Sequence, residues 1–268
     1  MQALKASPFY PIIRDTYIAL RDLPQLPAAY LHPWRREAIR RLAMLKDVHK
    51  GKRAFIIGNG PSLKNTDMSR LKGEITFGMN RIYLMFPELG FKTTYLSVVN
   101  DLVIEQTASD LAALDIPKFL TWRSRKFFST LNPQSSSLPT FLYSTYDSPR
   151  FSPDVRGRIW EGATVTYVTM QLAFHMGISE AILIGVDHNY ETKGRANTTI
   201  TSDGDDPNHF NPTYFGKGFR WQLPDLETSE IAYRMARKAY ENASRRIVDA
   251  TVGGKLQIFE KADFNSLF

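Results

Sequence analysis

The residues best able to do chemistry in this chain fall in three places. The first is the run Ala54-Phe-Ile-Ile-Gly58-Asn59-Gly60-Pro61-Ser62-Leu63, in which an apolar stretch ends in two glycines and a proline. Gly58 and Gly60 let the backbone approach a ligand closely, and Pro61 sets a helix start. Free N–H groups over Gly58–Ser62, aided by the helix dipole, would then favour a phosphate. A plain tight turn from strand to helix would use the same residues. The second place is the pair of positions Asn80 and Asp187-His188, which close apolar runs as Asn59 does. Carboxyl ends of parallel strands are where open sheets bind ligands. Asn59 and Asn80 could hydrogen-bond a ribose, a base or a donor sugar, or equally cap the next helix. His188 could act as a base near neutral pH or make a structural contact to the neighbouring strand. The third place is the stretch from Asp187 to Leu223, rich in Asn, Asp, Gly, Thr and Pro. A loop of that length inside a compact domain is either functional or disordered, and its Tyr190, Phe210, Tyr214, Phe215, Phe219 and Trp221 favour an ordered lid. Within it, Asp203-Gly-Asp205-Asp206 has the hard oxygen ligands that suit Mg²⁺ or Mn²⁺, with a solvated turn as the plainer reading.

Two familiar nucleotide loops are excluded. No Gly-Lys-Ser/Thr follows the glycines, so the turn is not a P-loop. The third glycine of a dinucleotide fingerprint is Leu63 here, and Asn80 stands where a ribose-binding acid would be expected. The chain has no cysteine, which excludes disulfides, thiolate zinc sites and thiol nucleophiles.

These candidates need elements to hold them. Short apolar, β-rich runs predict strands over Ala54–Ile57, Ile75–Met79, Thr94–Val99, Lys118–Trp122, Phe141–Tyr143, Ala181–Val186 and Ile247–Ala250, with Leu256–Phe259 as a further candidate. A helix is expected from Thr164 to Met176, where Val165, Val168, Leu172 and Met176 keep helical spacing and Gly177 caps the end. A second helix follows Pro224, with Asp225 as N-cap and Ile231, Met235, Ala239 and Ala243 as the packing face. Strands alternating with helices imply an α/β class: a single Rossmann-like domain over 51–268 with a mostly parallel sheet, a lid over 188–224 and a helical N-terminal extension over 1–50. His175, inside the first helix, reads as structural.

The chain carries a net charge of +7 over 268 residues, and residues 1–50 hold nine Lys and Arg against four Asp and Glu. Pro8, Pro11, Pro24, Pro27 and Pro33 break that segment into short helical pieces. Arg35, Arg36, Arg40 and Arg41 lie beside Tyr30, Leu31 and Trp34. That composition fits either a helix packed on the catalytic domain or an amphipathic contact with a membrane surface. No nucleic-acid signature accompanies the charge. The first residues lack a signal peptide pattern and no stretch approaches a membrane span, so a cytoplasmic protein, peripheral to the inner face of the membrane, is expected.

Taken together, Gly58-Asn-Gly-Pro-Ser-Leu-Lys64, Asp67, Leu71, Gly78-Met-Asn-Arg-Ile-Tyr83, Thr164-Val-Thr and Met176-Gly-Ile-Ser-Glu-Ala-Ile-Leu-Ile-Gly-Val-Asp187 resemble the 6-hydroxymethylpterin diphosphokinase MptE-like domain family (DUF115). That family is similar to bacterial lipooligosaccharide sialyltransferases using CMP-activated sugar acids. The resemblance spans Lys52 to the C-terminus and implies a modified glycosyltransferase-A domain with a lid and no required metal. It further implies that Asn59 and Asn80 touch the CMP-sugar, that Thr164, Val165 and Thr166 lie beside the nucleotide, and that a lid histidine deprotonates the acceptor. His209 is the candidate base, with His188 as rival, and Tyr190 and Tyr214 are the candidate donors to the leaving phosphate. The sialyltransferases carry an arginine shortly before the threonine matching Thr164. Here that position is near Gly162, and Arg158, Lys217 and Arg220 are the candidates to replace it. The expected partners are a nucleotide-sugar donor and a glycan or glycolipid acceptor, with self-association into a homo-oligomer left open. The alternatives are an ATP-dependent diphosphokinase, which would call for Mg²⁺, and a non-catalytic nucleotide-binding protein of envelope assembly.

Overall fold

A computed structural model describes residues 16–17, 20–21, 23–131, 138–192 and 194–268. The expectations placed on Lys5, Pro8, Pro11 and Arg14 lie outside the described residues.

The described residues form a nine-stranded sheet and a two-stranded lid hairpin. In chain order the large sheet contains β1 (Arg53–Ile57), β2 (Thr76–Met79), β3 (Tyr95–Val98), β4 (Lys118–Thr121), β5 (Thr140–Thr145), β6 (Arg158–Trp160), β7 (Glu180–Ile184), then β10 (Arg246–Asp249) and β11 (Glu260–Lys261). β8 (Thr199–Thr201) and β9 (Arg220–Gln222) pair antiparallel and belong to the lid. The spatial order is β11-β10-β7-β1-β2-β3-β4-β5-β6, with every pairing in the large sheet parallel. The α/β class and the mostly parallel sheet hold.

Two details differ from the sequence reading. β6, β8 and β9 are three residues each, too short to leave an alternating pattern. Leu256–Phe259 is not a strand, because pairing with β10 begins only at Glu260. The strands near β1 are buried on both faces: Ala54 and Ile56 enter one apolar cluster, and Phe55 and Ile57 the other. This two-sided burial is what makes their sequences continuously apolar.

The helices that matter are α1 (Leu26–Leu31), α2 (Pro33–Leu45), α3 (Phe86–Leu89), α4 (Asp101–Ala113), α5 (Val165–His175) and α6 (Leu226–Asn242). α5 connects the β6 edge to central β7 and packs against β1, β2 and β3 on the way. Nine of its eleven residues are buried, among them the polar Thr166, Thr169, Gln171 and His175. Thr164 is its N-cap, accepting a hydrogen bond from Thr166 N. α6 starts at the expected cap, Asp225, which accepts from Thr228 N. Its packing face is different from the one expected: Ser229, Ala232, Tyr233, Ala236 and Tyr240 are buried, while Ile231 and Met235 are 42% and 38% exposed. The buried tyrosines satisfy their hydroxyls inside the core, Tyr240 donating to Met170 O at 2.8 Å.

α2 packs on β5, with Trp34 stacked on Phe141 at 5.9 Å. Arg35 is fully buried and donates to Arg156 O at 2.5 Å. Arg40 and Arg41 pair with Glu37, and His175 bonds Leu42 O at 2.8 Å, tying α2 to α5. Arg35 is therefore removed from the basic surface expected of this helix. Residues 33–45 thus pack on the domain through Trp34, Arg35 and Leu42.

Ala236 sits fully buried on the α6 face that meets α5. Ala236→Leu should destabilise the protein by about 1–3 kcal/mol through overpacking. Met235→Ala should change stability by less than about 0.5 kcal/mol. Urea unfolding of both variants checks this, and the reverse ranking would mean that the face carrying Met235 is the packed one.

Candidate functional site

Connections run from β1 outward through β2 to β6, and β7 returns to pair with the free side of β1. The loops at the carboxyl ends of β1 and β7 therefore part at a topological switch point, the usual ligand crevice of such sheets. A cavity of about 230 Å³ lies there, just below the ~300–1,000 Å³ common for small-molecule sites. It is lined by Gly58, Asn59 and Gly60 after β1, Asn80 after β2, Asn100 after β3, Glu161 after β6, and Gly185 to Tyr190 after β7. The first turn of α5 and the lid close the remaining walls.

The glycines after β1 are required by the protein itself. A Cβ on Gly58 would stand 2.1 Å from Gly185 O, and one on Gly60 would stand 1.8 Å from Asp187 Oδ2. Gly58 N donates to Ile184 O and Gly60 N to Gly185 O. Ser62 N donates to Asp187 Oδ1 at 3.1 Å and Ser62 Oγ to Asp187 Oδ2 at 2.7 Å. The anion held by this turn is thus the carboxylate of Asp187. Of the Gly58–Ser62 amides expected to hold a phosphate, those of Gly58, Gly60 and Ser62 are spent within the protein, neither Pro61 nor Ser62 lines the cavity, and only Asn59 N is left without an acceptor among the described residues. Pro61 does open a helical turn, but a five-residue 3-10 one.

Asn59 and Asn80 do not cap helices. Gly60 and Arg81 occupy the N-cap positions that follow them, without side-chain caps. Asn59 Nδ2 donates to Met79 O at 3.1 Å, which fixes the amide, and the Oδ1 atoms of both Asn59 and Asn80 are buried without a partner. An unmet buried acceptor costs roughly 1–3 kcal/mol, so two of them on one cavity wall mark a place for a ligand's N–H or O–H groups. Asn80, Ala163 and His188 all line the cavity with left-handed φ values of 49°, 59° and 53°. Such backbone strain gathers where surrounding structure fixes a binding surface.

The start of α5 offers a further free donor to the cavity. Thr164, Val165 and Thr166 line the cavity. Thr166 N and Tyr167 N are taken by Thr164, while Val165 N has no acceptor among the described residues. An eleven-residue helix also directs the positive end of its dipole there.

The lid is docked on the β1 turn through Phe210 N, which donates to Asn59 O at 2.9 Å. Beside it, His209 Nδ1 donates to Asp206 Oδ2 at 2.7 Å, and the imidazole stacks on Tyr214 at 4.0 Å. Asp206 is buried and also accepts from Asn208 N and Phe215 N. Its carboxylate therefore organises the lid, while Asp203 and Asp205 remain exposed. This arrangement leaves His209 Nε2 as the free ring nitrogen on the cavity wall. Asp206 is the functional residue missed in sequence as the partner of His209; the spacing Asp206-x-x-His209 within one turn was the available signal.

Tyr214 is the second correction. It is fully buried beneath His209, its hydroxyl accepts from Arg81 N at 3.2 Å, its carbonyl accepts from Arg81 Nη1, and it does not line the cavity. It is a platform for the histidine. Tyr190 does line the cavity. Burial raises its phenol well above the ordinary range, so it stays a donor. His188, the rival base, donates from Nε2 to Glu230 Oε1 at 3.1 Å. That hydrogen bond holds the Glu230 carboxyl below its usual range.

Arg158, Lys217 and Arg220 all lie off the lining. Arg158 donates to Tyr143 Oη and Arg220 pairs with Glu105. Arg123 reaches the lining from behind: it bridges Glu161 at 2.8 Å and Asp101 at 3.1 Å and lies 4.2 Å over the Tyr146 ring. Its position directly after β4, at the carboxyl edge, could have flagged it. Among the described residues no Lys or Arg lines the cavity. Its carboxylates are each committed: Glu161 to Arg123 and Ser144 Oγ, Asp187 to Ser62, and Asp225 to the start of α6.

No protein-family model and no curated protein matches the chain.

Burial raises the Asp187 carboxyl above its ordinary range, against the pull of the Ser62 hydrogen bonds and with a push from Asp249. The native state therefore keeps this proton at pH values where the unfolded chain, with an ordinary pKa of about 3.9, has released it. The associated stability is complete below about pH 4 and is lost as pH rises through the raised value. Asp187→Asn keeps an acceptor for Ser62 N and removes the charge. Its stability relative to the wild type should increase from pH 4 to pH 7 in urea unfolding; a pH-independent difference would contradict this assignment.

Proposed function

We propose that this chain is a transferase that takes a sugar acid from a CMP-activated donor and gives it to a hydroxyl of a glycan or glycolipid in cell-surface polysaccharide synthesis. The observation that carries the reading is the His209–Asp206 pair, held by the lid over a strand-end cavity whose two buried amide oxygens await donors. The choice of cytidine and of a sugar acid follows from the family resemblance.

In this reading the nucleoside lies against Asn59 and Asn80, whose Oδ1 atoms accept from its amino and hydroxyl groups. The phosphate meets Val165 N and the Thr164 hydroxyl, with Tyr190 donating to a phosphate oxygen. The acceptor hydroxyl donates to His209 Nε2. As its oxygen bonds to the anomeric carbon, the proton passes to Nε2, the bond from that carbon to the phosphate oxygen breaks, and CMP leaves. Asp206 keeps the proton of neutral His209 on Nδ1 and stabilises the imidazolium that forms. The protein would work on the cytoplasmic side of the membrane where glycolipid acceptors are made. No helix among the described residues is long and apolar enough to cross a membrane.

Thermal unfolding with CMP, CDP, UDP, GDP and ATP in turn tests the ligand class, since binding to the native state raises stability by mass action. The largest shift should come from CMP, and CMP-sugar turnover should persist in EDTA. His209→Ala should lower turnover by about 10²–10⁴-fold with the CMP shift retained, and Tyr214→Phe should lower it far less. A dominant response to ATP with Mg²⁺ would replace this reading by the diphosphokinase, and nucleotide binding without turnover of any CMP-sugar would replace it by the non-catalytic protein.

A further inference from the structure

A second cavity, of about 360 Å³, lies beside the first and is lined by His32, Trp34, Arg123, Arg125, Lys126 and Ser129. The composition of its wall is unlike that of the first cavity. It has three cationic side chains and no carboxylate, and it adjoins a cluster of indole rings. Arg125 lies 4.3 Å over the Trp122 ring and donates Nη1 to Trp122 O, which leaves Nε and Nη2 uncommitted among the described residues. Lys126 is exposed, with no ion pair among the described residues. His32 Nδ1 accepts from Trp34 N at 3.2 Å, so the ring proton sits on Nε2 and the imidazole is a neutral donor. Burial and the nearby Arg125 both lower its pKa, which preserves that tautomer near neutrality. Trp34 has one face on Phe141, and His32 packs edge-on to both Trp34 and Trp122.

The two cavities share no lining residue but are joined by one ion pair. Arg123 lines the second cavity, while its Nη2 holds Glu161 on the wall of the first. Its charge is consumed by Glu161 and Asp101, which leaves Arg125 and Lys126 as the charges free to act on a ligand. Such a wall of cations, a neutral N–H donor and an indole suits a sugar ring bearing a phosphate: the ring lies against the indole and the anion meets the cations.

We infer that the cavity around His32, Trp34, Arg125 and Lys126 is an acceptor subsite for a phosphorylated sugar, set one or more sugar units away from the hydroxyl that reacts at His209. This inference rests on the transferase reading, which leaves the acceptor unspecified, and narrows the acceptor to an anionic glycan. The contact with Arg123 gives the subsite a physical link to the wall of the donor cavity.

The test is a titration of the full chain with glucose 6-phosphate, glucose and inorganic phosphate, following the indole N–H resonances of Trp34 and Trp122 by NMR. Glucose 6-phosphate should give saturable shifts at one or both indoles and bind more tightly than either glucose or phosphate alone. Lys126→Ala and Arg125→Gln should each weaken it by about tenfold or more, and CMP affinity should be unchanged in both variants. Equal binding of glucose 6-phosphate by the wild type and both variants, or no saturable shift at either indole, would overturn the subsite. If CMP fails to bind any of these proteins the transferase reading falls, whereas the indole titration still decides the subsite by itself. Equal responses to phosphate and to glucose 6-phosphate would overturn the sugar component.

Discussion

The loops that follow β1 and β7 meet with no room for a single Cβ between them, and the site is built outward from that contact. Gly58 lies against the Gly185 carbonyl and Gly60 against the Asp187 carboxylate. Asp187 then closes the junction by taking both the amide and the hydroxyl of Ser62. This clamp fixes the switch point of the sheet. Asn59 is left standing between the two glycines, with its backbone carbonyl free to receive Phe210 N of the lid. The position of His209 follows from that bond, because His209 directly precedes Phe210 in the chain.

The same clamp explains why the anion site lies elsewhere. A ligand phosphate at Ser62 would have to displace a carboxylate already bonded twice and would meet its charge. The start of α5 has no such occupant, and its geometry is set by Gly162 and Ala163, both in left-handed conformations. The cavity therefore divides the labour: side-chain amides from β1 and β2 on one wall, a helix N-terminus on another, and a histidine brought in by the lid. Beyond that wall, Arg123 balances Glu161 and stands between a cavity without Lys or Arg on its lining and a cationic one.

Much of this was legible in the sequence, and the parts that were not share a physical cause. The central strands could be read because burial on both faces makes them continuously apolar, as in Ala181–Ile184. Asp225 could be read as a cap because capping is local in sequence. The packing face of α6 could not, because Tyr233 and Tyr240 bury polar tips that find partners only in the folded chain, while the more hydrophobic Ile231 and Met235 stay outside. The Ser62 donors looked free because their acceptor lies 125 residues away. Tyr214 looked like a ligand contact because a tyrosine in a polar lid carries no sign that a histidine will stack on it.

The central claim is that His209, oriented by Asp206, faces a nucleotide-sugar whose phosphate sits at the start of α5. A crystal structure with CMP bound to a non-hydrolysable sugar acid analogue tests it directly. The account predicts the cytidine between Asn59 and Asn80, the phosphate within hydrogen-bond distance of Val165 N, and His209 Nε2 facing the anomeric carbon with Asp206 still on Nδ1. A ligand phosphate seated on Ser62 with Asp187 displaced, or a His209 ring turned away from the bound sugar, would contradict it.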